Sequence, residues 1–415
     1  MLAGSVGVCF LHPLSVLLAV RGLRRAVFWT ILNSMIYFDT AATALQRPTQ
    51  VGQSVLHALA HMGNPGRGIY DASMDAARAV SRARHAVAAF VGGAQANSVA
   101  FTSGVTESFH LLIRQLIGPD DAVITTVLEH NSVLRPLYQT GCELAFLDCD
   151  EQGTLLLDQL PSLLRSNTRF MVCTHGSNVL GSCTDLARIS DFCKAHGLLL
   201  LVDAAQTMGL LPLQVEWADF ICFTGHKGLM GPPGTGGVVA PNLAALADRL
   251  PPSPFKTGGT GSDSFAPAQP LRMPDTFEAG TPNVPGLCGL SAGCAFVQSV
   301  GQQVALQHDR DLAGRFCDGV RDIPGLTLYG PQPSAQRLGV VALNLRGADS
   351  EEVSLRLWER YQIATRPGSH CAPLLHRRFA TEQIGMVRFS FGWFNTNEEV
   401  DAATRALAEL AREMR

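Results

Sequence analysis

The sequence predicts an α/β protein: a large domain on a mostly parallel sheet, followed by a smaller α+β domain. Two observations predict it. Apolar runs alternate with helical patterns along the first two thirds of the chain, and the apolar runs are nearly continuous rather than alternating, as in strands covered on both faces. "RFMVCT" (169–174) is one such run. "LARISDFCKAHG" then places Leu186, Ile189 and Cys193 on one helical face and stops at Gly197, and "LLLLVDAAQ" (198–206) returns to strand, completing a β-α-β unit. "DFICFT" (219–224) reads as the next strand. Residues 251–286, with "PPSPFKTGGTGSDSF" and "EAGTPNVPG", are too rich in proline and glycine for core and read as a loop over the site. Short strands such as "VVALNL" and "MVRFSF" among helical patterns mark the smaller domain.

With 415 residues, 47% of them hydrophobic, the chain can bury a large core. A net charge of -3, from 32 basic and 35 acidic residues, supplies no excess to attract nucleic acid or an anionic membrane. Eleven cysteines without C-x-x-C pairs or metal-ligand spacing read as reduced thiols in a reducing compartment, the cytoplasm, with no metal site. The expected boundaries are 1–35 for an N-terminal extension outside the fold, 36–60 for a segment joining the small domain, 61–288 for the large domain and 289–415 for the small one. Residues 1–34 contain no acidic residue, and Arg21, Arg24 and Arg25 follow the apolar stretch instead of preceding it, so a signal peptide fits poorly. A membrane anchor is the competing reading of that stretch, which His12 and Pro13 interrupt.

In open parallel sheets, ligands sit beyond the carboxyl ends of the strands. Polar residues gather there: Gly104 and Thr106 after "VAFTS", Glu129 and His130 after "AVITTVL", then His175 and Asn178, Asp203 and Gln206, and Thr224, His226 and Lys227. An aspartate ending the buried strand "LLLLVD" needs a cation or strong donor to stay ionised, and a protonated ring nitrogen is one. Lys227, 24 positions later, is placed to form a Schiff base with an aldehyde cofactor. Pyridoxal phosphate needs both groups and a phosphate cup, which the start of the helix in "SGVTESFHLLIRQLIG" offers through its N–H groups and the Thr106 hydroxyl. Taken singly, Asp203 is more often a helix cap and Lys227 a solvated lysine; their order on successive strand ends is what carries the reading. The glycines of "GLMGPPGTGG" are not a nucleotide loop, since Lys227 precedes them.

"THGSNVLGS", "VDAAQ", "TGHK", "EAGTPN" and "GSHCAPL", opened by "IYFDTAAT" and closed by "VRFSFGWFNTNEEVD", resemble the cysteine desulfurases of aminotransferase class V over residues 36–412. The likeness is to the group II, sulfur-mobilisation type and its selenocysteine-lyase relatives. It implies a fold-type I pyridoxal-phosphate homodimer that takes sulfur from L-cysteine, leaving L-alanine and a persulfide, for iron–sulfur cluster assembly through a sulfur-acceptor protein. The resemblance makes Lys227 the Schiff-base lysine, Asp203 the partner of the ring nitrogen, Gln206 the residue facing the ring hydroxyl and His130 the stacking histidine. Thr106, Val105, Thr224 and His226 take the phosphate positions, with Thr281 reaching across from the other subunit. Asn178, Arg388 and Arg366 take the substrate-carboxylate positions, and Cys371 that of the nucleophile. Pro367, Ser369 and Val105 depart from the pattern, which bears on substrate choice. L-Selenocysteine is the alternative substrate, and another class V aminotransferase, lyase or epimerase activity the alternative chemistry. Read from the residues alone, Arg366 and His370 favour a thiolate at Cys371, while Gly368 and Ser369 loosen its loop; Cys173, Cys193 and Cys222 read as buried apolar thiols.

Overall fold

The computed structural model describes residues 35–66, 68–243, 246, 254–332 and 337–414; the expectations about residues 1–34 lie outside them. Fourteen strands are formed among the described residues: β1 (Ile36–Tyr37), β2 (Val91–Gly92), β3 (Val99–Thr102), β4 (Ala122–Thr126), β5 (Glu143–Leu147), β6 (Thr168–Thr174), β7 (Leu199–Asp203), β8 (Leu213–Gln214), β9 (Phe220–Thr224), β10 (Gly236–Val239), β11 (Leu326–Tyr329), β12 (Val340–Leu345), β13 (Ile363–Ala364) and β14 (Val387–Ser390). Seven make the central sheet in the order β3-β10-β9-β7-β6-β4-β5. Only β10 runs antiparallel to its neighbours, so the other six strands end on one edge.

The continuous apolar runs follow from two covered faces. Side chains alternate across a strand: Leu199 and Leu201 of β7 join Phe170, Val172, Phe220 and Cys222 in the core on one face, while Leu200 and Val202 join Met171, Cys173, Ile221 and Phe223 on the other. The helix Leu186–Ala195 buries Leu186, Ile189 and Cys193, as its pattern predicts. Asp185 caps its start by accepting from the Arg188 N–H at 3.1 Å. Among the described residues of 251–286, no helix or strand forms before Val284.

The smaller unit is an antiparallel sheet β11-β12-β14 packed against the helices Gln302–Val320, Ser350–Tyr361 and Asn397–Glu413 around Phe316, Val353, Phe389 and Leu407. A capping box, Thr396 with Glu399, starts the last helix. β1 pairs in parallel with β13, and Asp39 bridges to Ser390 at the end of β14. The N-terminal stretch is thereby fixed against the small sheet, while the helix Thr49–His61 packs on the helix Val284–Val300, which itself runs through residues 288 and 289. Among the described residues, no single helix is long and apolar enough to cross a membrane.

Candidate active site

Asp203 is the last residue of β7, and Lys227 lies on the loop that leaves the neighbouring strand β9. Glycine brings the loops after these two strands together: a Cβ on Gly228 would stand 2.6 Å from the Met208 carbonyl oxygen, and one on Gly209 would stand 2.8 Å from the Gly228 oxygen. Asp203 is buried, and its Oδ1 accepts from the Ala205 N–H at 2.8 Å. Burial pushes its carboxyl above the usual range, with the Ala205 N–H and the Lys227 charge pulling back. Burial lowers the Lys227 ammonium to about 8, Asp203 opposing and the Arg388 charge assisting. A lysine poised there is a free amine about a tenth of the time at pH 7, far more often than an ordinary lysine, as a nucleophile toward an aldehyde and a proton acceptor require.

His130 caps the helix Asn131–Thr140; its Nδ1 accepts from the Ser132 N–H at 3.0 Å, which assigns the ring proton to Nε2. Burial, with Lys227 and Arg388 nearby, lowers its pKa to about 4, so the ring is a neutral flat surface. Beside it Glu129 is buried, pushed up to about 8 by desolvation, and ties β4 to β6 by accepting from Thr126 Oγ1 at 2.7 Å and the Thr174 N–H at 2.9 Å. Gln206 donates through Nε2 to the Ala41 carbonyl at 3.1 Å.

An anion cradle stands at the end of β3. The helix Val105–Leu116 begins there, and among the described residues no backbone acceptor meets the N–H groups of Val105 and Thr106. The Val105 side chain packs into the core, so it contributes only its backbone, whereas Thr106 is exposed. Thr224 Oγ1 would lie 3.6 Å from a Cβ on Gly104, and the start of β10 presses so close that a Cβ on Gly236 would stand 2.5 Å from Gly104 Cα. His226 Nδ1 meets Thr43 Oγ1 at 3.1 Å. Unpaired helix-start N–H groups, a buried acid and a buried amine make a donor set that fits pyridoxal phosphate. Thr281 lies on an exposed turn before the helix Val284–Val300.

On the other side, the backbones of Arg366 and Arg388 exchange hydrogen bonds at 2.8 and 3.1 Å, setting both side chains beside Asp39. Arg388 Nη2 donates to Asp39 Oδ1 at 2.7 Å and Arg366 Nη2 reaches Asp39 Oδ2 at 2.7 Å. Arg388 Nη1 donates to the Asn178 carbonyl at 3.1 Å, while its Nε is buried without a partner. The Asn178 side chain is engaged with the cysteine loop: its Nδ2 donates to the His370 carbonyl at 2.8 Å. The Asn131 N–H donates to the Cys371 carbonyl at 2.7 Å. Cys371 is the one exposed cysteine among the described residues, and Cys173, Cys193 and Cys222 are buried. His370 and Cys371 both adopt the left-handed region, φ 51° and 56°, which non-glycine residues avoid. The loop is thus held in an unusual conformation by Asn178 and Asn131, which belong to other parts of the large domain. Asp39 and Glu129 are the site residues to which sequence reasoning gave no role.

His175, buried and paired with Thr207 Oγ1 at 3.0 Å, sets an acid limit on the fold. Burial lowers its pKa from 6.5 to about 4. Its contribution is complete above pH 6.5 and is lost as pH falls toward 4, because the unfolded chain takes up a proton the folded chain refuses. Urea unfolding at pH 7.5 and pH 5 is expected to show a loss of about 2 kcal/mol from this group. His175→Gln removes that part of the pH dependence; an unchanged pH slope contradicts it.

The family model for aminotransferase class V matches residues 36–403. A cysteine desulfurase of Escherichia coli O139:H28 is 33% identical over 392 residues, covering 91% of this chain and 94% of its own length. A cysteine desulfurase of Shigella sonnei matches at the same identity and coverage. Among solved structures, the apo cysteine desulfurase from Thermococcus onnurineus NA1 superposes with a TM-score of 0.83 at 29% identity, over 92% of this chain and 96% of that one. The cysteine desulfurase CsdA from Escherichia coli gives a TM-score of 0.81 at 30% identity over the same shares.

Proposed function

The chain belongs to the aminotransferase class V family, and from that premise we propose that it is a pyridoxal-phosphate-dependent cysteine desulfurase whose persulfide forms on Cys371. The observation that carries the assignment of residues is the meeting of Lys227 and Asp203 at the strand ends with an exposed cysteine tied, through Asn178 and Asn131, to the same ends.

Asp203 would hold the ring nitrogen, Gln206 the ring hydroxyl, His130 the ring face, and Val105, Thr106, Thr224 and His226 the phosphate. When bound, the cofactor supplies an aldehyde that engages the substrate's amino group and an electron-poor ring that acidifies its α-carbon. Arg388, with Arg366 beside it, binds the carboxylate of L-cysteine and so fixes where the α-proton and the sulfur lie. Lys227 Nζ takes the α-proton and returns it, a role suited to an amine with a pKa near 8. His130, uncharged, leaves the positive charge to the groups that use it. Cys371 Sγ, deprotonated, attacks the substrate sulfur: an S–S bond forms, the substrate's Cβ–S bond breaks, and its carbon skeleton gains a proton to leave as L-alanine. The balance is L-cysteine plus one thiol to L-alanine plus one persulfide.

The protein is further read as a homodimer in which Thr281 on its exposed turn reaches the partner's phosphate, of the group II type, passing its sulfur to an acceptor protein for iron–sulfur assembly in the cytoplasm. Exposure of Cys371 and ten disulfide-free cysteines among the described residues support that reading. Product analysis tests the function. L-Cysteine with a reductant is expected to yield equal amounts of L-alanine and sulfide, and a keto acid in place of alanine overturns it. L-Selenocysteine run in parallel measures the preference between sulfur and selenium.

A further inference from the structure

Asp39 stands between the two arginines of the carboxylate recess and, among the described residues, is the only acid that either one pairs with. It is buried, its side chain 10% exposed against 4% for Arg388 and 50% for Arg366, and it is bound at both oxygens. Its place is enforced by backbone: the Ser390 N–H donates to the Phe38 carbonyl at 2.8 Å, and Ser390 Oγ accepts from the Ala41 N–H at 3.0 Å. We propose that Asp39 sets the charge of this recess, cancelling one of two guanidinium charges so that a single net positive charge is left for a single carboxylate. Resting on the reading of this recess as the substrate-carboxylate site, the inference makes Asp39 a positioning and specificity residue that favours amino acids with one carboxylate over those with two.

Lys227 is a further cation that both Asp39 and Arg388 feel, and it is common to every variant compared below. Tyr37, whose hydroxyl donates to the Asp39 carbonyl at 3.1 Å, is raised by burial to about 12 and is uncharged; His370 is lowered by burial to about 3 and is neutral. Arg388 spends one N–H of Nη2 on Asp39 and one of Nη1 on the Asn178 carbonyl, which leaves the unpartnered Nε and a second N–H on each terminal nitrogen for an incoming carboxylate. Arg366, half exposed, is occupied at Nε and Nη2 by the same carboxylate. A ligand's second carboxylate therefore meets an acid already in place. Without Asp39 it would meet a guanidinium.

The test is calorimetric titration of the holoenzyme with succinate and with butyrate, two acids of equal chain length and unequal charge. In Asp39→Asn the succinate-to-butyrate affinity ratio is expected to rise about tenfold, as one uncompensated charge at a partly buried site dictates. Asp39→Glu is expected to keep the wild-type ratio, and Asp39→Asn with Arg366→Gln to return it by restoring one net charge. A ratio unmoved in folded Asp39→Asn overturns the proposal. Should that variant fail to fold, Arg366→Gln alone decides: it leaves no net charge, so the succinate-to-butyrate ratio is expected to fall about tenfold, and an unchanged ratio overturns the proposal. The two readings fail separately. If the wild type makes no L-alanine from L-cysteine but the ratio still moves, the assigned reaction is wrong and the role of Asp39 stands.

Discussion

Lys227→Ala is expected to leave a folded protein that lacks the visible absorbance of a lysine-bound aldehyde cofactor and forms L-alanine from L-cysteine at least a thousandfold more slowly, a loss of about 4 kcal/mol of barrier lowering or more. The residue combines two tasks that nothing else at the strand ends can take. Among the described residues it is the only amine there; His130 and His226, both lowered to about 4 by burial, are weak bases, and the arginines hold their protons. Folding is expected to survive because Lys227 is a destabilising guest: burial lowers its pKa, which means the fold disfavours its charge. Its removal leaves Asp203 without a nearby cation, so that carboxyl, already raised by desolvation, rises further. Absorbance spectra and circular dichroism of the purified variant check both halves. An intact visible band with normal turnover would refute the assignment of Lys227 and, with it, the reading of Asp203 as its electrostatic partner.

Five strands of the central sheet, β3, β4, β6, β7 and β9, were legible from the sequence because each has a local cause, whereas β5 and the antiparallel β10 were not read as strands. Runs such as 198–202 are apolar at every position since successive side chains enter cores on opposite faces, and a helix with its cap at Asp185 separates two of them. The strand-end residues were legible for a related reason: in a parallel sheet the chain must leave every strand at the same edge, so a sequence order of polar exits becomes a spatial cluster. Asp39 had no such signal. It lies two residues beyond β1, and its partners are 327 and 349 positions away in sequence. Only the pairing of β1 with β13, and of the following residues with Ser390, brings it to the arginines, and that register is a property of the folded small sheet. Glu129 was visible as a polar exit residue, but its burial and raised pKa come from the packing of β4 against β6. The cysteine loop shows a restraint that its sequence did not signal. Glycine and serine suggested freedom to swing, whereas the consecutive left-handed residues His370 and Cys371 are tied by two hydrogen bonds from other elements.

That tethering shapes the outcome for Cys371→Ala, which is expected to fold, bind cofactor and show the wild-type spectrum, yet release sulfur from L-cysteine at least a thousandfold more slowly. The tethers are made to backbone carbonyls of His370 and Cys371, so truncating Sγ leaves both in place and the loop keeps its position. The exposed thiol fills no core, and its loss opens no cavity. What disappears is the acceptor for the sulfur: with no Sγ to form the S–S bond, cleavage of the substrate's Cβ–S bond would have to expel a poorer leaving group unaided. Left-handed backbone at two adjacent non-glycine residues costs about 1 to 3 kcal/mol each, and the Asn178 and Asn131 bonds offset part of it. Strain of this kind persists where geometry matters, here in presenting Sγ to a substrate whose carboxylate is fixed by Arg388. Mass spectrometry of the wild type after L-cysteine and a thiol-alkylating reagent should place one added sulfur on the peptide carrying Cys371, and the alanine variant should carry none on any peptide. Normal sulfide release by Cys371→Ala, or a persulfide on another cysteine, would remove Cys371 from the mechanism while leaving Lys227 and Asp203 in theirs.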